Sequence, residues 1–269
     1  MSRFYDINAG VPQGSVLGPT LYSLYTCDLP KTNHTLTATY ADDTAILANN
    51  SDPSMASFLL QSELDQISKW LSVWRIKSSA SKSTHITFTL RKGNCPEVKL
   101  AGEPLPHSDS VKYLGIHLDR RLTWKTHIKK KRDELNLRYR SLWWLLGRKS
   151  MLSLENKLLV YKTILKPIWT YGIQLWGSAC NSNIEILQRY QNILLKSISH
   201  APWFITNREV HEFLGMPTVK QEIATSCSKY KIRLDNHPNL LAQDLLLHSH
   251  KRRLKRHAIL ELDETFASC

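Results

Sequence analysis

The sequence has 269 residues, of which 42% are hydrophobic and 22% are charged. These proportions are ordinary for a protein that builds a core, and they exclude disorder along the whole length, a collagen-like repeat and a disulfide scaffold. The 36 Lys and Arg residues outnumber the 23 Asp and Glu residues, which gives a formal net charge of +13. Such an excess favours a polyanionic partner, most often nucleic acid, although a merely solvated basic surface has the same composition.

The positive charge is concentrated in the second part of the chain. Residues 1–110 carry 9 Lys and Arg against 10 Asp and Glu, whereas residues 111–269 carry 27 against 13. This asymmetry predicts two modules with different tasks. The five cysteines are scattered without a CxxC pair, which predicts reduced thiols rather than a zinc knuckle. The N-terminal segment has no apolar signal region and no stretch approaches the roughly 20 apolar residues of a membrane span. We therefore expect an intracellular protein of the nucleus and cytoplasm that is neither secreted nor membrane-bound.

The first elements along the chain are a loop, a helix and a hairpin. Residues 10–19 hold three glycines and two prolines, which predicts a shaped loop that leads into a helix over 19–28. The β-prone runs 36–40 and 44–48 predict a tight antiparallel hairpin with Asp42 and Asp43 at its tip.

A longer helix and three strands are predicted next. The helix is capped by Ser51 or Asp52, has Pro53 in its first turn and ends near Trp74. Its inward residues are predicted to be Phe58, Leu59, Leu64, Ile67 and Leu71. Strands are expected near 84–90, 97–100 and 111–118.

The pattern beyond Asp119 is helical. Helices are predicted at 123–147, 154–176, 183–199, 207–214, 219–236 and 239–247. Capping boxes are predicted at Ser182 with Glu185, Thr206 with Glu209, and Thr218 with Gln221. The fold class is thus α+β, with a mixed domain over 1–118, a helical region over 119–247, and a basic tail over 248–269 that is predicted to be disordered.

The adjacent carboxylates of Asp42 and Asp43 are the first chemical signal. Like charges held together repel, so their pairing suggests a divalent cation. Mg²⁺ prefers carboxylate oxygens, and two such ions roughly 3.5–4 Å apart can activate a 3′-hydroxyl and stabilise a leaving pyrophosphate. Short acidic side chains are also common in turns for purely local reasons.

Two motifs in order carry a family resemblance. The segment GVPQGSVLGPTLY over 10–22, followed some twenty residues later by YADD over 40–43, resembles reverse transcriptases of non-LTR retrotransposons, particularly the jockey-like clade. The stretch WLSVWRIK over 70–77, VKYLGIHLD over 111–119 and several later segments are similar to the same family, so the resemblance covers nearly the whole chain. It implies a partial polymerase palm over 1–118, then a helical thumb and C-terminal region.

The resemblance implies roles for particular residues. Asp42 and Asp43 would hold the catalytic Mg²⁺, with Mn²⁺ as an alternative, and Lys82 would protonate the departing pyrophosphate unless it is only a surface lysine. The nucleotide and template would contact Pro12, Gln13, Gly14, Ser15 and Tyr40. The primer would be gripped by Tyr113, Leu114, Gly115 and Ile116, where Gly115 could instead mark a plain β-bulge.

A basic, aromatic segment follows between Lys125 and Lys149. The residues expected on the nucleic-acid backbone are Lys125, Lys129, Lys130, Lys131 and Arg132. Aromatic side chains in this segment could stack on bases, but we expect Trp124, Trp143 and Trp144 to be mostly core. Trp169, Tyr171 and Trp176 are expected in the core as well. His200, His211 and Cys227 lack the spacing of metal ligands and are interpreted as structural.

The resemblance also implies parts that this sequence does not match. A working palm of this family needs another aspartate on a strand before the loop, and only nine residues precede Gly10. We therefore expect a truncated RNA-directed DNA polymerase that is inactive alone. The expected partners are an RNA template, a DNA primer, deoxynucleoside triphosphates and, in the intact relative, element RNA in a ribonucleoprotein. The alternatives are a non-catalytic nucleic-acid-binding remnant and a two-metal nuclease, which would need more carboxylates near Asp42.

Overall fold

The computed structural model describes residues 14–247, and the chain divides into two units, Met1–Leu114 and Gly115–Cys269. The predictions for Pro12, Gln13 and the tail 248–269 lie outside the described residues. The division falls inside 111–118, which was predicted as a single strand. The domain bounds at 118 and 247 stay a prediction.

The described part of the first unit mixes helices with short strands. Its helices are α1 (Gly18–Tyr25), α2 (Pro53–Val73) and a short 3-10 helix (Ala80–Lys82), and its strands are β1 (Thr35–Tyr40), β2 (Asp43–Ala48), β3 (Lys99–Leu100), β4 (Glu103–Pro104) and β5 (Ser110–Tyr113). Helix α2 begins where Asp52 accepts hydrogen bonds from the backbone N–H groups of Ser54 and Met55, which confirms the predicted cap. The predicted combination of helices and strands is confirmed.

Strands β1 and β2 form an antiparallel hairpin and, among the described strands, pair only with each other. Ile46 of β2 packs with Leu60 of α2 against a small core. The buried members of this core are Leu64, Ala80, Val98, Leu100 and Leu105. Leu36, Tyr40 and Leu47, which share the other face of the hairpin, are exposed.

Two predictions for the first unit are wrong. Residues 84–90 form only an isolated parallel bridge between His85 and His107 instead of a strand. Extension of the ladder towards Thr87 would need the backbone N–H of Ser110, which instead donates to the Ser108 hydroxyl at 3.3 Å. Phe58 of α2 is exposed, whereas Leu64 and Ile67 are buried as predicted.

The described part of the second unit is helical apart from one strand. Its elements are β6 (Ile116–Asp119), α3 (Lys125–Ser141), α4 (Trp143–Leu146), α5 (Leu154–Val160), a π-helical turn (Tyr161–Leu165), α6 (Lys166–Thr170), α7 (Ile173–Trp176), α8 (Asn181–Ile198), α9 (Asn207–Phe213), α10 (Val219–Asp235) and α11 (Leu240–Leu247). Trp124, Trp169 and Trp176 lie in one hydrophobic core with residues from α3 to α10. The core positions predicted for Trp169 and Trp176 are therefore confirmed.

Several predicted helices of this unit are interrupted. The helix predicted over 123–147 breaks at Leu142, where the Ser141 hydroxyl donates to the carbonyl of Arg138 and competes with the helical bonds. The helix predicted over 154–176 contains the π-helical turn and ends at Gly172, whose φ of 63° lies in the left-handed region.

The capping predictions are partly confirmed. Thr206 with Glu209 and Thr218 with Gln221 form complete capping boxes at α9 and α10. The box predicted at Ser182 with Glu185 is wrong, because α8 already begins after Cys180, which makes no capping hydrogen bond through its side chain.

Candidate functional site

The two aspartates lie at the tip of the β1–β2 hairpin, as the sequence predicts. Tyr40 pairs directly with Asp43, so Ala41 and Asp42 form the two-residue turn between the strands. Ala41 has a φ of 50°, in the left-handed region that such tight turns require. The hairpin therefore presents two consecutive aspartates, one on the turn and one at the first residue of β2.

Both carboxylates are exposed and available. Neither Asp42 nor Asp43 forms a hydrogen bond or salt bridge through its side chain with any residue of 14–247. Exposed carboxylate oxygens are the ligand type that Mg²⁺ prefers, and this ion retains several waters and binds few protein ligands. Within the described residues, no third Asp, Glu, His or Cys joins them to form a metal-binding cluster.

Helix α1 is attached to this tip through Tyr22. The Tyr22 hydroxyl donates a hydrogen bond of 2.8 Å to the carbonyl oxygen of Ala41. Partial burial, and secondarily the negative charge of Asp42, raise the pKa of Tyr22. Tyr22 is the last residue of the GVPQGSVLGPTLY motif, and its role at the hairpin tip was not predicted from the sequence.

A buried carboxylate on α2 supports the hairpin from the other side. Glu63 is 0% exposed, and its two oxygens accept hydrogen bonds from the backbone N–H of Thr32 at 3.0 Å and the hydroxyl of Thr37 at 3.3 Å. A buried charge without partners would be costly, so these donors are part of what stabilises it. Glu63 thereby ties α2 to β1 and to the segment that precedes β1. Its place inside an amphipathic helix gave no sequence signal for this role.

The loop before α1 is described only from Gly14. Gly14 has a φ of 82°, and the hydroxyl of Ser15 accepts a hydrogen bond from the backbone N–H of Leu17 at 3.3 Å. These residues form the turn into α1, which agrees with the predicted shaped loop. Their contacts with a nucleotide or template stay a prediction.

Lys82 ends the short 3-10 helix with its side chain exposed. Neighbouring Ala80 is buried in the core of the first unit, so this turn is fixed in place. Lys82 forms no salt bridge with Asp42 or Asp43 in the described part of the chain. The contact of Lys82 with a departing pyrophosphate stays a prediction.

The segment predicted to grip the primer is a turn rather than one strand. Leu114 has a φ of 45° and Gly115 a φ of 78°, so the chain reverses between Tyr113 and Ile116. The interpretation of Gly115 as a strand or bulge residue is wrong. The positive φ favours glycine here, and a Cβ at this position would lie 3.1 Å from the Tyr171 ring, a tight contact that the ring would have to relieve by shifting.

Tyr171 joins this turn to the basic helix α3. Its ring, 51% exposed, contacts Gly115 and also lies 5.7 Å from the ammonium of Lys131. Lys131 additionally pairs with Glu134 at 3.0 Å. The expectation that Tyr171 is a core residue is wrong, because sequence periodicity did not register the break at Gly172.

The basic residues predicted to contact nucleic acid lie on α3. Four of them have exposed side chains, whereas Lys131 is half-buried: the exposed residues are Lys125, Lys129, Lys130 and Arg132. The turn before this helix is held by Asp119, whose carboxylate accepts from the N–H groups of Thr123 and Trp124, each at 2.8 Å. The face is thus solvent-accessible, and its contact with phosphates stays a prediction.

The tryptophans of this region divide into two groups. Trp124 is buried and donates through its ring N–H to the Ser178 hydroxyl at 3.0 Å. Trp143 and Trp144 are exposed, so the expectation that they are mostly core is wrong. The core-facing residues Leu135, Leu142 and Leu146 keep helical spacing through this region, and Trp143 and Trp144 lie on the opposite, exposed face.

The histidines of the second unit have structural partners. The Nδ1 of His127 accepts from the backbone N–H of His117 at 3.2 Å, and His127 is completely buried. Burial, followed by the charges of Lys131 and His117, lowers the pKa of His127 to about 4, while Glu134 acts in the opposite sense. His211 contacts the carbonyl of Met216 at 2.7 Å. These observations agree with a structural interpretation of the histidines.

Between residues 14 and 247, none of the helices combines the length and the apolar composition needed to cross a membrane.

Comparison with known proteins identifies the class. Residues 2–118 match the family model described as reverse transcriptase (RNA-dependent DNA polymerase). This segment contains the hairpin, α1 and the loop before it. Residues 2–118 therefore belong to the reverse transcriptase family.

Relatives extend the similarity over most of the chain. It is 40% identical to the probable RNA-directed DNA polymerase from transposon X-element of Drosophila melanogaster, over 95% of this chain and 29% of that protein. It is 39% identical to the RNA-directed DNA polymerases from mobile element jockey of Drosophila funebris and Drosophila melanogaster, over 93% and 95% of this chain. The chain spans 29% and 30% of the length of those two proteins. No solved structure matches it significantly. The predicted similarity to jockey-type elements is confirmed.

Proposed function

We propose that this chain supplies part of the active site and the product-binding region of an RNA-directed DNA polymerase of a non-LTR mobile element. One observation carries the proposal: Asp42 and Asp43 are consecutive and unpaired on a hairpin tip that Tyr22 attaches to the helix of the upstream motif. The reaction joins a primer 3′-hydroxyl to the α-phosphorus of a deoxynucleoside triphosphate and releases pyrophosphate. Catalysis of this type rests on positioning and on neutralising charge.

The chain's own residues divide this work. Asp42 and Asp43 would hold Mg²⁺, or Mn²⁺, which supplies Lewis-acid stabilisation to the transferring phosphoryl group. Gly14, Ser15 and Tyr40, together with Pro12 and Gln13, would contact the nucleotide and template. Lys82 would donate its ammonium proton to the departing pyrophosphate.

The second unit is proposed to bind the duplex of RNA template and DNA primer as a thumb. The turn over 113–116 would contact the primer terminus, where Gly115 lets the backbone approach closely. The exposed basic residues of α3 would neutralise phosphates, so affinity is expected to fall steeply with salt as counterions are released. The same surface is proposed to bind the element's own RNA in a ribonucleoprotein.

A second candidate is a nucleic-acid-binding protein without catalysis. The absence of a third carboxylate beside Asp42 and Asp43 within the described residues favours it. The two candidates differ in whether the hairpin binds a cation and supports chemistry.

The first test measures cation binding at the hairpin. Titration of the labelled 269-residue chain with Mn²⁺ should broaden the NMR signals of Asp42 and Asp43 before those of other carboxylates. Asp42→Asn keeps the shape and removes a charge, so it should weaken the broadening at Asp43. Asp109→Asn, an exposed carboxylate of the same unit, is the matched control and should change nothing. Broadening that is the same in both variants would mean that the pair only shapes the turn.

The second test measures primer extension. The 269-residue chain alone should extend no primer, because loss of part of a cooperative catalytic set removes most of the rate. Fusion behind the upstream palm and fingers of a jockey polymerase should give extension on an RNA template, and Asp43→Asn should abolish it. A fusion that binds template but remains inactive with Asp43 intact would favour the non-catalytic candidate.

A further inference from the structure

Four large aromatic side chains are exposed on two segments of the second unit. Trp143 and Trp144 form the start of α4, and Trp203 and Phe204 lie in the loop between α8 and α9. Trp144 is 73% exposed and Trp203 is 91% exposed. Exposed tryptophans at this level are uncommon, and a group of them usually marks a binding surface. We call these four residues the aromatic surface.

Buried contacts bring the two segments together. The ammonium of Lys157, a residue only 2% exposed, donates to the carbonyl of Gly147 at 3.3 Å and contacts the Nε2 of His200 at 3.1 Å. Gly147 directly follows α4, and His200 directly precedes the loop. A second link joins the hydroxyls of Tyr139 and Ser197 at 2.9 Å. The residue after α4 and the residue before the loop therefore lie against the same buried group.

The aromatic side chains project from a fixed framework. Lys196 donates to the carbonyl of Ile205 at 2.7 Å, and Ala201 and Ile205 pack against the core. The loop is thus anchored at both ends, and its two central aromatic residues are directed outward. Trp143 packs edge-on against Tyr139 with ring centroids 5.5 Å apart. Rings that are held before binding lose little entropy when a ligand stacks on them.

Exposed cations lie close in sequence to Trp143 and Trp144, whereas the loop with Trp203 and Phe204 leads into α9, where Arg208 is paired with Glu212 at 2.8 Å. Residues 135–154 and 196–208 contain no Asp or Glu. They contain Arg138, Arg140, Arg148, Lys149, Lys196 and Arg208. Arg140, Arg148 and Lys149 are exposed. A surface that combines aromatic rings with exposed cations is complementary to a chain of phosphates that carries unpaired bases.

We propose that the aromatic surface is a binding site for single-stranded nucleic acid, in which unpaired bases stack on Trp144 and Trp203 and the flanking cations contact the phosphates. This proposal rests on the proposed function in one respect, namely that the ligand is a nucleic acid. The aromatic surface would be a second site that does not depend on a duplex. Bases within a duplex are already stacked on one another, so their faces are not free to stack on tryptophan. The basic residues of α3 serve phosphates of either form.

The test compares binding of single strands and duplexes to the full chain. Fluorescence anisotropy is measured with a labelled oligo(dT) of about 15 nucleotides, within the range of single-strand sites, and with a labelled RNA–DNA duplex of the same length. Trp144→Leu and Trp203→Leu keep apolar bulk and remove the aromatic face. Trp203→Phe keeps a ring. Phe213→Leu changes an exposed aromatic of α9 that is outside the aromatic surface and serves as the matched control.

Each tryptophan-to-leucine change should raise the Kd for oligo(dT) roughly 5- to 150-fold, the range expected for one base–aromatic stack. The Kd for the duplex should stay within about 2-fold of wild type, since phosphate contacts dominate there. Trp203→Phe should bind oligo(dT) more tightly than Trp203→Leu. Because both rings are exposed, circular dichroism should show an unchanged fold.

Four results would overturn the proposal. The first is that both leucine variants bind oligo(dT) as tightly as the wild type and still bind the duplex. This result would refute the aromatic surface but not the proposed function. The second is tryptophan-dependent binding to phosphatidylserine vesicles with no preference for single strands, which would make the surface a membrane contact. The third is tryptophan-dependent self-association of the chain, which would make it an interface between copies. Wild-type protein that binds neither nucleic acid would refute the nucleic-acid part of the proposed function as well.

Discussion

The Tyr22 hydroxyl donates a hydrogen bond of 2.8 Å to the carbonyl oxygen of Ala41, the residue that precedes the two aspartates. This bond attaches the helix of one sequence motif to the turn of the other. The turn requires an unusual backbone conformation at Ala41, so a fixed carbonyl helps to hold it.

Replacing Tyr22 with Phe should loosen the hairpin turn. The change removes one partly exposed hydrogen bond, which corresponds to about 0.5–1.5 kcal/mol of local stability. Native-state hydrogen exchange of the hairpin amides measures it. Tyr40→Phe is the control, because the Tyr40 hydroxyl has no hydrogen-bond partner between residues 14 and 247. Equal loss of protection in both variants would show that the bond to Ala41 contributes nothing specific.

The ionisation of Tyr22 should report the charge of Asp42. Burial and the Asp42 carboxylate both raise the pKa of Tyr22. Asp42→Asn should lower this pKa only part of the way to the ordinary value, because burial is the larger cause. A tyrosine NMR titration above pH 9 resolves the shift, with Asp109→Asn as the neutral comparison. If the pKa of Tyr22 is the same in Asp42→Asn as in the wild type, the Asp42 carboxylate does not lie near the phenol.

Replacing Glu63 with Gln should destabilise the base of the hairpin. The amide oxygen can accept from only one side, and its NH₂ group faces the other donor, Thr32 or Thr37. A buried donor left without an acceptor costs about 1–3 kcal/mol. Hydrogen exchange at the Thr32 amide should accelerate accordingly, whereas exposed Glu103→Gln should have no effect. An unperturbed Thr32 amide would contradict the observed contacts.

Replacing Gly115 with Ala should cost more than the same change at Gly102. Both glycines have a positive φ, but a Cβ at Gly102 meets nothing within 4 Å, whereas one at Gly115 meets the Tyr171 ring at 3.1 Å. Gly102→Ala thus reports the backbone strain alone, about 1–2 kcal/mol. Thermal denaturation measures the difference. If Tyr171→Ala fails to relieve the additional loss in Gly115→Ala, the contact is not its cause.

The stability of the second unit should fall on acidification because of His127. The pKa of His127 is lowered to about 4 in the folded protein, below the value of about 6.5 for an unfolded histidine. The unfolded chain therefore binds the proton more readily between these values. Stability is present above about pH 6.5 and decreases by roughly 1–2 kcal/mol towards pH 5. His127→Asn, which keeps an acceptor near the Nδ1 position, should flatten this part of the pH profile. A profile of unchanged slope in the variant would assign the effect to another group.

The sequence predicted the hairpin well because local signals agree there. Alternating β-prone residues flank a very short polar turn, and the register that places Asp43 opposite Tyr40 follows directly. The positions of Asp52, Thr206 and Thr218 as helix caps were predictable for the same reason.

Features that depend on tertiary contacts were not predictable. Trp143 and Trp144 are apolar neighbours of Leu142 and Leu146, and only the packing of those leucines on the core shows that the two tryptophans lie on the exposed face. In the sequence, Glu63 has the pattern of an ordinary polar helix residue. Its role depends on the hydrogen bonds that it accepts from Thr32 and Thr37, which lie far from it in sequence. Hydrophobic periodicity contains no information about such partners.

The hairpin that carries Asp42 and Asp43 has unpaired outer edges among the described strands, and its free face exposes Leu36 and Leu47. Open backbone edges beside apolar side chains act as templates for another extended chain. We therefore expect the polypeptide to aggregate as its concentration rises, with strand-to-strand association beginning at β1 or β2. Lysine substitution at Leu36 should improve solubility without touching the carboxylates, so it is a practical first change for preparing this polypeptide.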